Sequence, residues 1–448
     1  MYTEDTICAI ATAPGGALGI IRISGSQTFC CLNRIFRPMG RKPLAERRNH
    51  EAVFGHIVDN ENGIIDEVLV TIFRSPNSFT GEDSAEISCH GSAYILQQVM
   101  QLLLQNGCRM ARPGEYTQRA FLNGKMDLSQ AEAVADVIAS NSAASHRIAM
   151  SQMRGGIGRE LNQLREQLLH ITSLLELELD FGDHEELEFA DRTELNQLCS
   201  TISAHISRLV NSFHTGNALK NGVPVAIIGP TNAGKSTLLN ALLHEERAIV
   251  SDIHGTTRDT IEDTISLGGI LFRFIDTAGI RETTDQIEAL GIERSYQMID
   301  RADIVLLVTA PDCTLTEKEL QKIEHHCLGK TLIHIQNKSD ISNSTEGLCI
   351  SAKHNTGIDQ IENLLVSSME GKASESEVLI TNARHLQALS LALESMNRVQ
   401  DAMQMGLSGD LVSQDLREVL FHLAEVTGGQ ITSDEVLGNI FKHFCIGK

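Results

Sequence analysis

The sequence predicts a multidomain fold of mixed α/β and α class. We expect an N-terminal α+β domain, a helical bundle built from two chain segments, and an α/β domain with a mostly parallel sheet inserted between those segments. The chain has 448 residues, about three times the usual domain size, so two to four hydrophobic cores are expected. The composition becomes helix-forming near residue 129 and again near residue 383. Between them, short apolar runs alternate with helical stretches, which is the pattern of a parallel sheet.

Residues 1–120 form the predicted N-terminal α+β domain. Short β-branched runs at 20–23, 68–73 and 85–88 are separated by glycine and proline, the pattern of strands joined by turns. A helix-like stretch follows at 93–104. Strands with an accompanying helix indicate an α+β domain.

Two segments, 121–220 and 373–448, form the predicted helical domain. In the first, apolar residues recur at alternating steps of three and four, at Leu161, Leu164, Leu168, Ile171 and Leu175. This stripe covers only about two heptads, which favours the core of a helical bundle over a coiled-coil pairing. The acidic stretch 176–191 that follows is expected to be a solvated helix end or loop.

Segment 221–372 is the predicted α/β domain. Its five short apolar runs are 225–228, 272–275, 304–308, 332–335 and 348–350. Strands that alternate with helices give a mostly parallel sheet covered on both faces. The tract 371–377 is expected to be a linker to the second helical segment.

Charge and composition limit the function classes. The formal net charge is −21, from 37 basic and 58 acidic side chains, which disfavours holding nucleic acid by phosphate contacts alone. The dense basic stretch 37–48 is interpreted as a solvated loop.

Ten cysteines without a C-x-x-C pair indicate reduced thiols. No targeting segment and no apolar run of membrane length is present, so we expect a cytoplasmic protein without a membrane partner.

A glycine-rich loop follows the first apolar run of the α/β segment. Residues 229–236 read GPTNAGKS and open a helical stretch at 237–243, the context that a G-x-x-x-x-G-K-[ST] phosphate loop requires. Its backbone N–H groups can close around phosphates, Lys235 can reach the β and γ oxygens, and Ser236 can ligate Mg²⁺. The expected contacts are Asn232, Ala233, Gly234, Lys235, Ser236 and Thr237.

Two further segments are expected near the γ-phosphate. The sequence Asp276, Thr277, Ala278, Gly279 ends the next buried strand, where the carboxylate can hold the Mg²⁺ shell and the Gly279 N–H can meet the γ-phosphate. Between this segment and the loop, Thr257 is a candidate second Mg²⁺ ligand that orders only with a γ-phosphate.

The segment 337–340 (NKSD) is expected to determine which nucleotide base the site binds. Asp340 can accept hydrogen bonds from the N1–H and the exocyclic amino group of guanine, whereas adenine presents an acceptor there, so ATP is rejected. The segment 351–353 (SAK) fits the loop that backs the base. The expected base-side contacts are Asn337, Lys338, Asp340, Ser351, Ala352 and Lys353. Five elements in this order predict a Ras-like P-loop GTPase domain.

The hydrolytic machinery lacks one familiar residue. Ile280 stands where Ras-like proteins carry the glutamine that orients water. The transition-state charge also needs a counterion, worth on the order of 4 to 7 kcal/mol if it matches an arginine finger. The sequence offers Arg258, Arg281 or a bound cation.

Specific motifs also lie outside the nucleotide segment. They read GIIRISG from residue 19, NSFTGED from 77, ARPGE from 111, FLNGKMDL from 121 and FCIGK at the end. With the nucleotide motifs they resemble the MnmE (TrmE) family of tRNA-modification GTPases over almost the whole chain. The resemblance implies an N-terminal tetrahydrofolate-binding and dimerising domain, a helical domain in two segments and an inserted TrmE-type G domain.

The resemblance further implies potassium-dependent hydrolysis in a homodimer. K⁺ takes the place of an arginine finger when the two G domains meet, and its matching ligands here are Asn232, Ser251, Ile253 and Thr256. Ser251, Thr256 and Thr257 also fall in the GTP site. Glu288 matches the glutamate that orients the attacking water, so Glu288 and Lys235 are the expected catalytic residues of hydrolysis.

The N-terminal domain and the chain end carry the implied folate site. Arg22, Glu86, Lys125 and Lys448 match residues that bind 5-formyl-tetrahydrofolate, an analogue of 5,10-methylene-tetrahydrofolate. From the residues alone, the same charges could be fold-stabilising ion pairs. Cys445 matches a functional cysteine near the folate, with a buried structural thiol as the alternative.

The implied reaction places an aminomethyl or carboxymethylaminomethyl group on C5 of the wobble uridine of certain tRNAs. The FAD-dependent partner MnmG (GidA) shares the reaction in a heterotetramer, and a basic partner could present the anticodon loop to an acidic chain. The alternative is a regulatory or ribosome-assembly G protein without modification chemistry. The N-terminal domain and the terminal FCIGK favour the first hypothesis, since a simple switch does not need them.

Overall fold

The computed structural model describes residues 5–40, 42–180, 192–245, 263–276, 296–313, 315–341, 347–370 and 378–429, with residues 440, 441, 444 and 447. The chain divides into two compact units. Unit 1 contains Met1–Ile138, Gln152–Asn196 and Ser395–Lys448, and unit 2 contains Ala139–Ser151 and Gln197–Glu394. Among the residues described, no helix is both long enough and apolar enough to cross a membrane.

Unit 1 contains a seven-stranded sheet in the order β3-β4-β5-β6-β2-β1-β7. Its strands are β1 (Thr6–Ile10), β2 (Leu18–Ser24), β3 (Phe36–Pro38), β4 (Ala52–Val58), β5 (Ile64–Phe73), β6 (Ser84–His90) and β7 (Cys108–Met110). All neighbours pair antiparallel except β1 and β7. Three of these strands, β2, β5 and β6, contain the runs predicted from sequence.

One face of this sheet is covered by helices. These are α1 (Thr28–Ile35) and α2 (Ala93–Gln105), and a third helix, α3 (Glu115–Leu122), follows β7. Alternate residues of β5 are buried, and Val68, Val70 and Ile72 join the core beneath α2. The helix predicted at 93–104 is confirmed with one more residue.

The predicted solvated loop at 37–48 is wrong in part. A 3-10 turn at Leu44–Glu46 buries Leu44 in the core. Arg47 donates to Glu51 at 2.9 Å, and its side chain is only 15% exposed. Arg37 and Arg48 are exposed as expected. The basic composition of this stretch gave no indication of the buried Leu44 or of the ion pair between Arg47 and Glu51.

The leucine stripe lies on the long helix α6. The helices of this part of the chain are α4 (Leu128–Ala139), α5 (Ala143–Met153), α6 (Gly156–Asp180) and α7 (Arg192–Asn221). All five stripe residues are buried, and in unit 1 α6 packs against a C-terminal helix, Gly409–Thr427. The stripe is therefore a helix-packing core, as predicted. The stretch 181–191 lies outside the described residues.

Unit 2 contains a six-stranded sheet in the order β13-β12-β11-β8-β10-β9. Its strands are β8 (Val223–Ile228), β9 (Asp263–Leu267), β10 (Ile270–Phe274), β11 (Ile304–Thr309), β12 (Thr331–Gln336) and β13 (Leu348–Cys349). Five of them are parallel and correspond to the predicted runs, while β9 pairs antiparallel with β10 at the edge. The edge strand escaped prediction because only alternate residues of Asp263–Leu267 face the core.

The remaining helices complete both units. They are α8 (Lys235–Glu245), α9 (Glu317–His326), α10 (Ile358–Glu370), α11 (Ala383–Gln404) and α12 (Gly409–Thr427). The N-terminal part of α5 belongs to unit 2, in which Ala144 joins the core of the sheet. The division into domains at 120, 220 and 372 stays a prediction. The linker predicted at 371–377 lies outside the described residues.

Nine of the ten cysteines lie in the described part of the chain, and all nine are free thiols. Six of them are buried. Burial raises the pKa of Cys89 to about 11, which keeps this thiol protonated at neutral pH. These nine therefore fit the prediction of reduced thiols that serve mainly as small core residues.

Candidate functional site

The glycine-rich loop joins β8 to α8 at the carboxyl edge of the parallel sheet. All six residues of β8 are buried, and α8 begins at Lys235. Gly229 has a φ of 144°, and a Cβ there would lie 2.0 Å from the carbonyl oxygen of Val308 on β11. Only glycine fits this approach of loop to strand. The strand-loop-helix context that the motif requires is present.

The Lys235 side chain folds back over this loop. Its Nζ donates to the carbonyl oxygens of Gly229 at 2.8 Å and Pro230 at 2.7 Å. Burial lowers the pKa of Lys235. A phosphate beside this ammonium group would favour its charged form, so the site is electrostatically suited to a polyanion.

Asn337 braces three loops of the site. Its Nδ2 donates to the Ala233 carbonyl at 2.9 Å, and its Oδ1 accepts from the Ala352 N–H at 3.0 Å. The side chain is buried, so both bonds are shielded from water. The phosphate loop, the 337–340 segment and the 351–353 segment are thereby fixed together. The sequence predicted that these segments share a site, but it did not predict this bridge.

The space for that bridge exists because residue 234 is glycine. Gly234 has a φ of 94°, and a Cβ there would lie 2.2 Å from Asn337 Nδ2. The amide cannot retreat, because it is buried and bonded on both sides. The glycine of the motif is therefore needed for loop bracing as well as for backbone conformation.

We expect Gly234→Ala to break this brace. The substitution should lower the thermal midpoint and weaken guanine-nucleotide binding by at least about tenfold, because it adds a clash to the strain of a positive φ. Titration with a fluorescent GDP analogue measures the affinity. Gly329→Ala is the matched control, since Gly329 has a φ of 80° and nothing within 4 Å of its virtual Cβ. Equal losses in both variants would contradict the bracing role.

The hydrogen bonding of the Asp340 carboxyl group favours its ionised form. Ser351 Oγ donates to Asp340 Oδ1 at 2.6 Å, and this bond lowers the pKa of the Asp340 carboxyl. His354 Nε2 lies 3.9 Å from the other carboxylate oxygen. An ionised carboxylate only accepts hydrogen bonds, which suits the N1–H and amino group of guanine. His354 was not among the predicted contacts.

Lys338 has a partner that the sequence did not reveal. Its Nζ lies 2.7 and 3.0 Å from the two carboxylate oxygens of Asp312, which follows β11. Lys338 itself has a φ of 62°. The pair links the base-side segment to the end of the neighbouring strand. No local signal connects residues 26 positions apart, so only the strand order could identify Asp312.

Asp276 stands two residues after the end of β10. The Ile275 N–H donates to the Val225 carbonyl of β8 at 3.1 Å, which keeps the chain on the sheet up to that point. Asp276 therefore leaves the same edge of the sheet as the phosphate loop, as the sequence predicted. Its φ of 56° marks the sharp turn there.

The other predicted contacts divide into two groups. Ser236 and Thr237 lie in the first turn of α8, and Asn232 is an exposed loop residue with a φ of 63°. The remaining predicted residues lie outside the described part of the chain, and they are Ser251, Ile253, Thr256, Thr257, Arg258, Thr277, Ala278, Gly279, Ile280, Arg281 and Glu288. Lys353 is described and exposed.

Unit 1 brings two of the predicted folate residues together. Arg22 on β2 and Glu86 on β6 are cross-strand partners, with Arg22 Nε 2.7 Å from Glu86 Oε1. Arg22 Nη1 also donates to the Gly447 carbonyl at 3.2 Å, which places the chain end beside this pair. Tyr116 of α3 donates to the Arg22 backbone carbonyl at 2.9 Å. Sequence reasoning did not find Gly447 or Tyr116.

The other folate candidates are not joined to this pair by a described contact. Lys125 Nζ donates to the Pro76 carbonyl at 2.9 Å. Cys445 and Lys448 lie outside the described residues, although Gly447 between them is described. The pairing of Arg22 with Glu86 shows that these charges do form an ion pair within the fold.

A buried ion network supports this region, and it was not predicted from the sequence. Arg119 of α3 is 5% exposed and contacts three carboxylates, with Nη2 2.8 Å from Asp5 Oδ1 and Nη1 3.1 Å from Glu82 Oε1. The third, Glu115, lies 3.2 Å away and also binds Arg109. Charges buried this deeply need partners. The network fixes α3, and with it Tyr116, against the sheet.

A phosphate-loop motif at the end of β8 and the carboxylate of Asp340 after β12, predicted to select the base, lie at the carboxyl edge of one parallel sheet. This combination of fold and site defines a nucleotide-binding protein of the P-loop GTPase class.

The comparisons with known proteins identify the family. The model of the GTP-binding protein TrmE N-terminus matches residues 6–125, and the MnmE helical domain model matches residues 128–445. The tRNA modification GTPase MnmE of Bacteroides thetaiotaomicron is 56% identical over 466 residues, covering 99% of this chain and 100% of the relative. The enzyme of the same name from Parabacteroides distasonis is 58% identical over 462 residues, with the same coverage. The chain belongs to the MnmE family of tRNA modification GTPases.

Among solved structures, that of Era from Aquifex aeolicus bound to GDP and aluminium fluoride matches 39% of this chain and 66% of its own. It is 26% identical, but the TM-score is only 0.25. The family assignment depends on the full-length sequence relatives and confirms the resemblance predicted from the motifs.

Proposed function

We propose that this chain is a potassium-dependent GTPase that acts with an FAD-dependent partner. Together they add a carboxymethylaminomethyl or aminomethyl group to C5 of the wobble uridine of certain tRNAs. The observation that carries the nucleotide part is the Asn337 bridge between the phosphate loop and the base loop, with Asp340 held ionised beside it. The tRNA part is supported by membership in the MnmE family.

Mg²⁺ has a suitable set of residues at this site. Ser236 provides a hydroxyl in the first turn of α8, and Asp276 leaves the adjacent strand at the same edge of the sheet. Hard oxygen ligands of this kind suit Mg²⁺, and Thr257 would add a second hydroxyl. When bound, the metal would neutralise charge on the β and γ oxygens. Lys235 would hold the same oxygens from the side of the loop.

K⁺ would supply the counterion for the transition-state charge, as the family resemblance implies. Asn232 is exposed on the phosphate loop, and its amide oxygen can ligate a cation. Ser251, Ile253 and Thr256 would complete the site, and Glu288 would orient the attacking water. Pairing of two G domains in a homodimer would enclose the ion and couple hydrolysis to dimerisation.

GTP turnover should be much faster in K⁺ than in Na⁺. We expect a ratio of at least about tenfold, below the 10³ to 10⁵ of an arginine finger because Na⁺ still supplies some charge. Phosphate release at equal ionic strength measures it. Asn232→Gly is the informative variant, since glycine accepts the φ of 63° and removes only the side-chain ligand. Equal rates in both salts, or an unchanged ratio in Asn232→Gly, would rule out this cation site.

The folate part of the proposal is supported by the environment of Arg22. A guanidinium paired with Glu86 on the sheet and bonded to the Gly447 carbonyl forms a polar site at the chain end. Lys125, Lys448 and Cys445 would complete it around 5,10-methylene-tetrahydrofolate, with 5-formyl-tetrahydrofolate as the analogue. The folate would supply the one-carbon unit. FAD belongs to the partner, MnmG (GidA), in a cytoplasmic heterotetramer that receives the tRNA.

The deciding experiment is a nucleoside digest of tRNA from cells whose only copy of this chain carries Lys235→Ala. We expect the modified wobble uridine to disappear while other modified nucleosides remain. An unchanged level of the modified uridine would favour the alternative, a regulatory or ribosome-assembly G protein. Ribosome profiles of the same cells test the alternative, since loss of a ribosome-assembly G protein predicts that free ribosomal subunits accumulate.

A further inference from the structure

A group of exposed cations lies along one edge of the sheet in unit 1. β3 stands at the end of the strand order, and its described partner is β4. The group begins in the last turn of α1, continues on β3 and ends on the connection from β3 to β4. All its side chains are exposed, and we name the group the basic edge: Arg34, Arg37, Lys42 and Arg48.

The connection between β3 and β4 has a fixed backbone. Leu44 anchors it in the core, and Arg74 donates from Nη2 to the Leu44 carbonyl at 2.9 Å. Arg74 Nε also donates to the Arg47 carbonyl at 3.2 Å. Arg47 Nε in turn donates to the Lys42 carbonyl at 3.2 Å. Two arginines thus hold the backbone, while the side chains of Lys42 and Arg48 remain at the surface.

The other two cations are oriented by bonds to helix ends. Arg34 Nη1 donates to the Asn106 carbonyl at the end of α2, at 3.2 Å. Arg37 Nη1 donates to the carbonyls of Asn33 and Arg34 at 3.1 and 3.2 Å. Carbonyl groups at a helix C-terminus attract cations, so these bonds also stabilise the fold. A guanidinium group has five N–H donors, and these bonds use one nitrogen of each arginine, so further donors remain for a ligand.

Acidic side chains offset this charge only in part. Within residues 34–51 the acids are Glu46, which is exposed, and Glu51, which accepts from Arg47 at 2.9 Å. The turn after β4 adds Glu61 and Asp59, and Asp59 accepts from N–H groups of its own turn. At physiological ionic strength the Debye length is about 8 Å, so more distant acids are largely screened. The basic edge therefore keeps a positive local charge although the whole chain carries −21.

We propose that the basic edge binds the phosphate backbone of the tRNA. This inference rests on the proposed function, which names a tRNA as the substrate of an acidic chain. Contacts between cations and phosphates need no apolar surroundings, and they position a nucleic acid without reading its sequence. A protein interface is instead centred on buried apolar residues. Along the described part of residues 34–48, Met39 is the only exposed large apolar side chain, which favours RNA over a protein as the ligand.

The test compares two double variants of the full-length chain. Lys42→Ala with Arg48→Ala removes two cations of the basic edge, and Lys318→Ala with Lys322→Ala removes two exposed cations of α9 as the charge-matched control. Fluorescence anisotropy of a labelled, unmodified tRNA measures the affinity between about 50 and 200 mM salt, for the chain alone and with its FAD-dependent partner.

Each phosphate contact contributes about 0.7 to 0.9 to the slope of log affinity against log salt concentration. We expect the basic-edge variant to lower the slope by about 1.4 to 1.8 and to weaken tRNA binding at least about fivefold at the lowest salt. The control should keep the wild-type slope. Arg48→Lys, which retains the charge, should keep it as well. An unchanged slope in the basic-edge variant, or an equal fall in the control, overturns the inference.

An acidic protein surface is the competing ligand. In that case the basic-edge variant would weaken assembly with the FAD-dependent partner in the absence of tRNA and leave tRNA affinity unchanged, which overturns the RNA assignment. If the double variant does not fold, Arg48→Ala alone should give about half of the slope change. A wild-type chain that binds no tRNA, alone or with its partner, also overturns the inference. If the wild-type complex binds tRNA but modifies no uridine, the proposed function fails, whereas the salt slopes still decide the role of the basic edge.

Discussion

Lys235→Ala should lower GTP turnover by about 10² to 10³, the range for removing one preorganised donor from developing charge. In the structure, Lys235 donates to the Gly229 and Pro230 carbonyls, and burial lowers its pKa. A half-buried ammonium group whose hydrogen-bond acceptors are the neutral carbonyls of Gly229 and Pro230 gains attraction when an anion arrives. Loss of the Lys235 ammonium group therefore removes its attraction to the phosphates in both the ground state and the transition state.

Phosphate release under single-turnover conditions, with saturating Mg²⁺ and K⁺, measures this effect. Lys322→Ala on α9 is the charge-matched control, because Lys322 is exposed and outside the site. The control should keep wild-type turnover. A fall of less than about threefold in Lys235→Ala would mean that the loop does not hold the reacting phosphates.

Asp340→Asn should change the base preference from guanine to xanthine. The carboxylate is expected to accept two hydrogen bonds from guanine, and bonds to a charged group are worth about 1.5 to 3 kcal/mol each. Losing both corresponds to about a 10²- to 10⁴-fold weaker GTP affinity. The asparagine amide can donate to the extra oxygen of xanthine, so affinity for xanthosine triphosphate should rise.

Competition between the two nucleotides for the same site measures the change in preference. Ser351→Ala is the control, because it removes the 2.6 Å bond to Asp340 but leaves the carboxylate in place. We expect a smaller loss of GTP affinity there and no gain for xanthosine triphosphate. If Asp340→Asn kept its preference for GTP, the assignment of the base-reading residue would be refuted.

Much of the fold could be predicted because its signals are local. The central parallel strands β8 and β11 of unit 2 are nearly continuous apolar runs, and the leucine stripe of α6 has helical spacing, so both are visible in short windows of sequence. The short strands β3 and β7 and the half-polar edge strand β9 lack such signals. These segments become strands because they pair with strands that are distant in the chain. A short window of sequence does not show which distant segment they pair with.

The sequence by itself predicted the site chemistry, namely a phosphate loop with Lys235 and Ser236 and a base-reading role for Asp340, and it indicated membership in the MnmE family. These follow from residue types at fixed spacing, which a linear chain preserves. The tertiary structure alone decided which groups brace that chemistry. Asn337 bridges Ala233 and Ala352, and Asp312 pairs with Lys338. Each of these contacts joins residues that are distant in the chain, and only the order of strands in the sheet brings them within hydrogen-bonding distance.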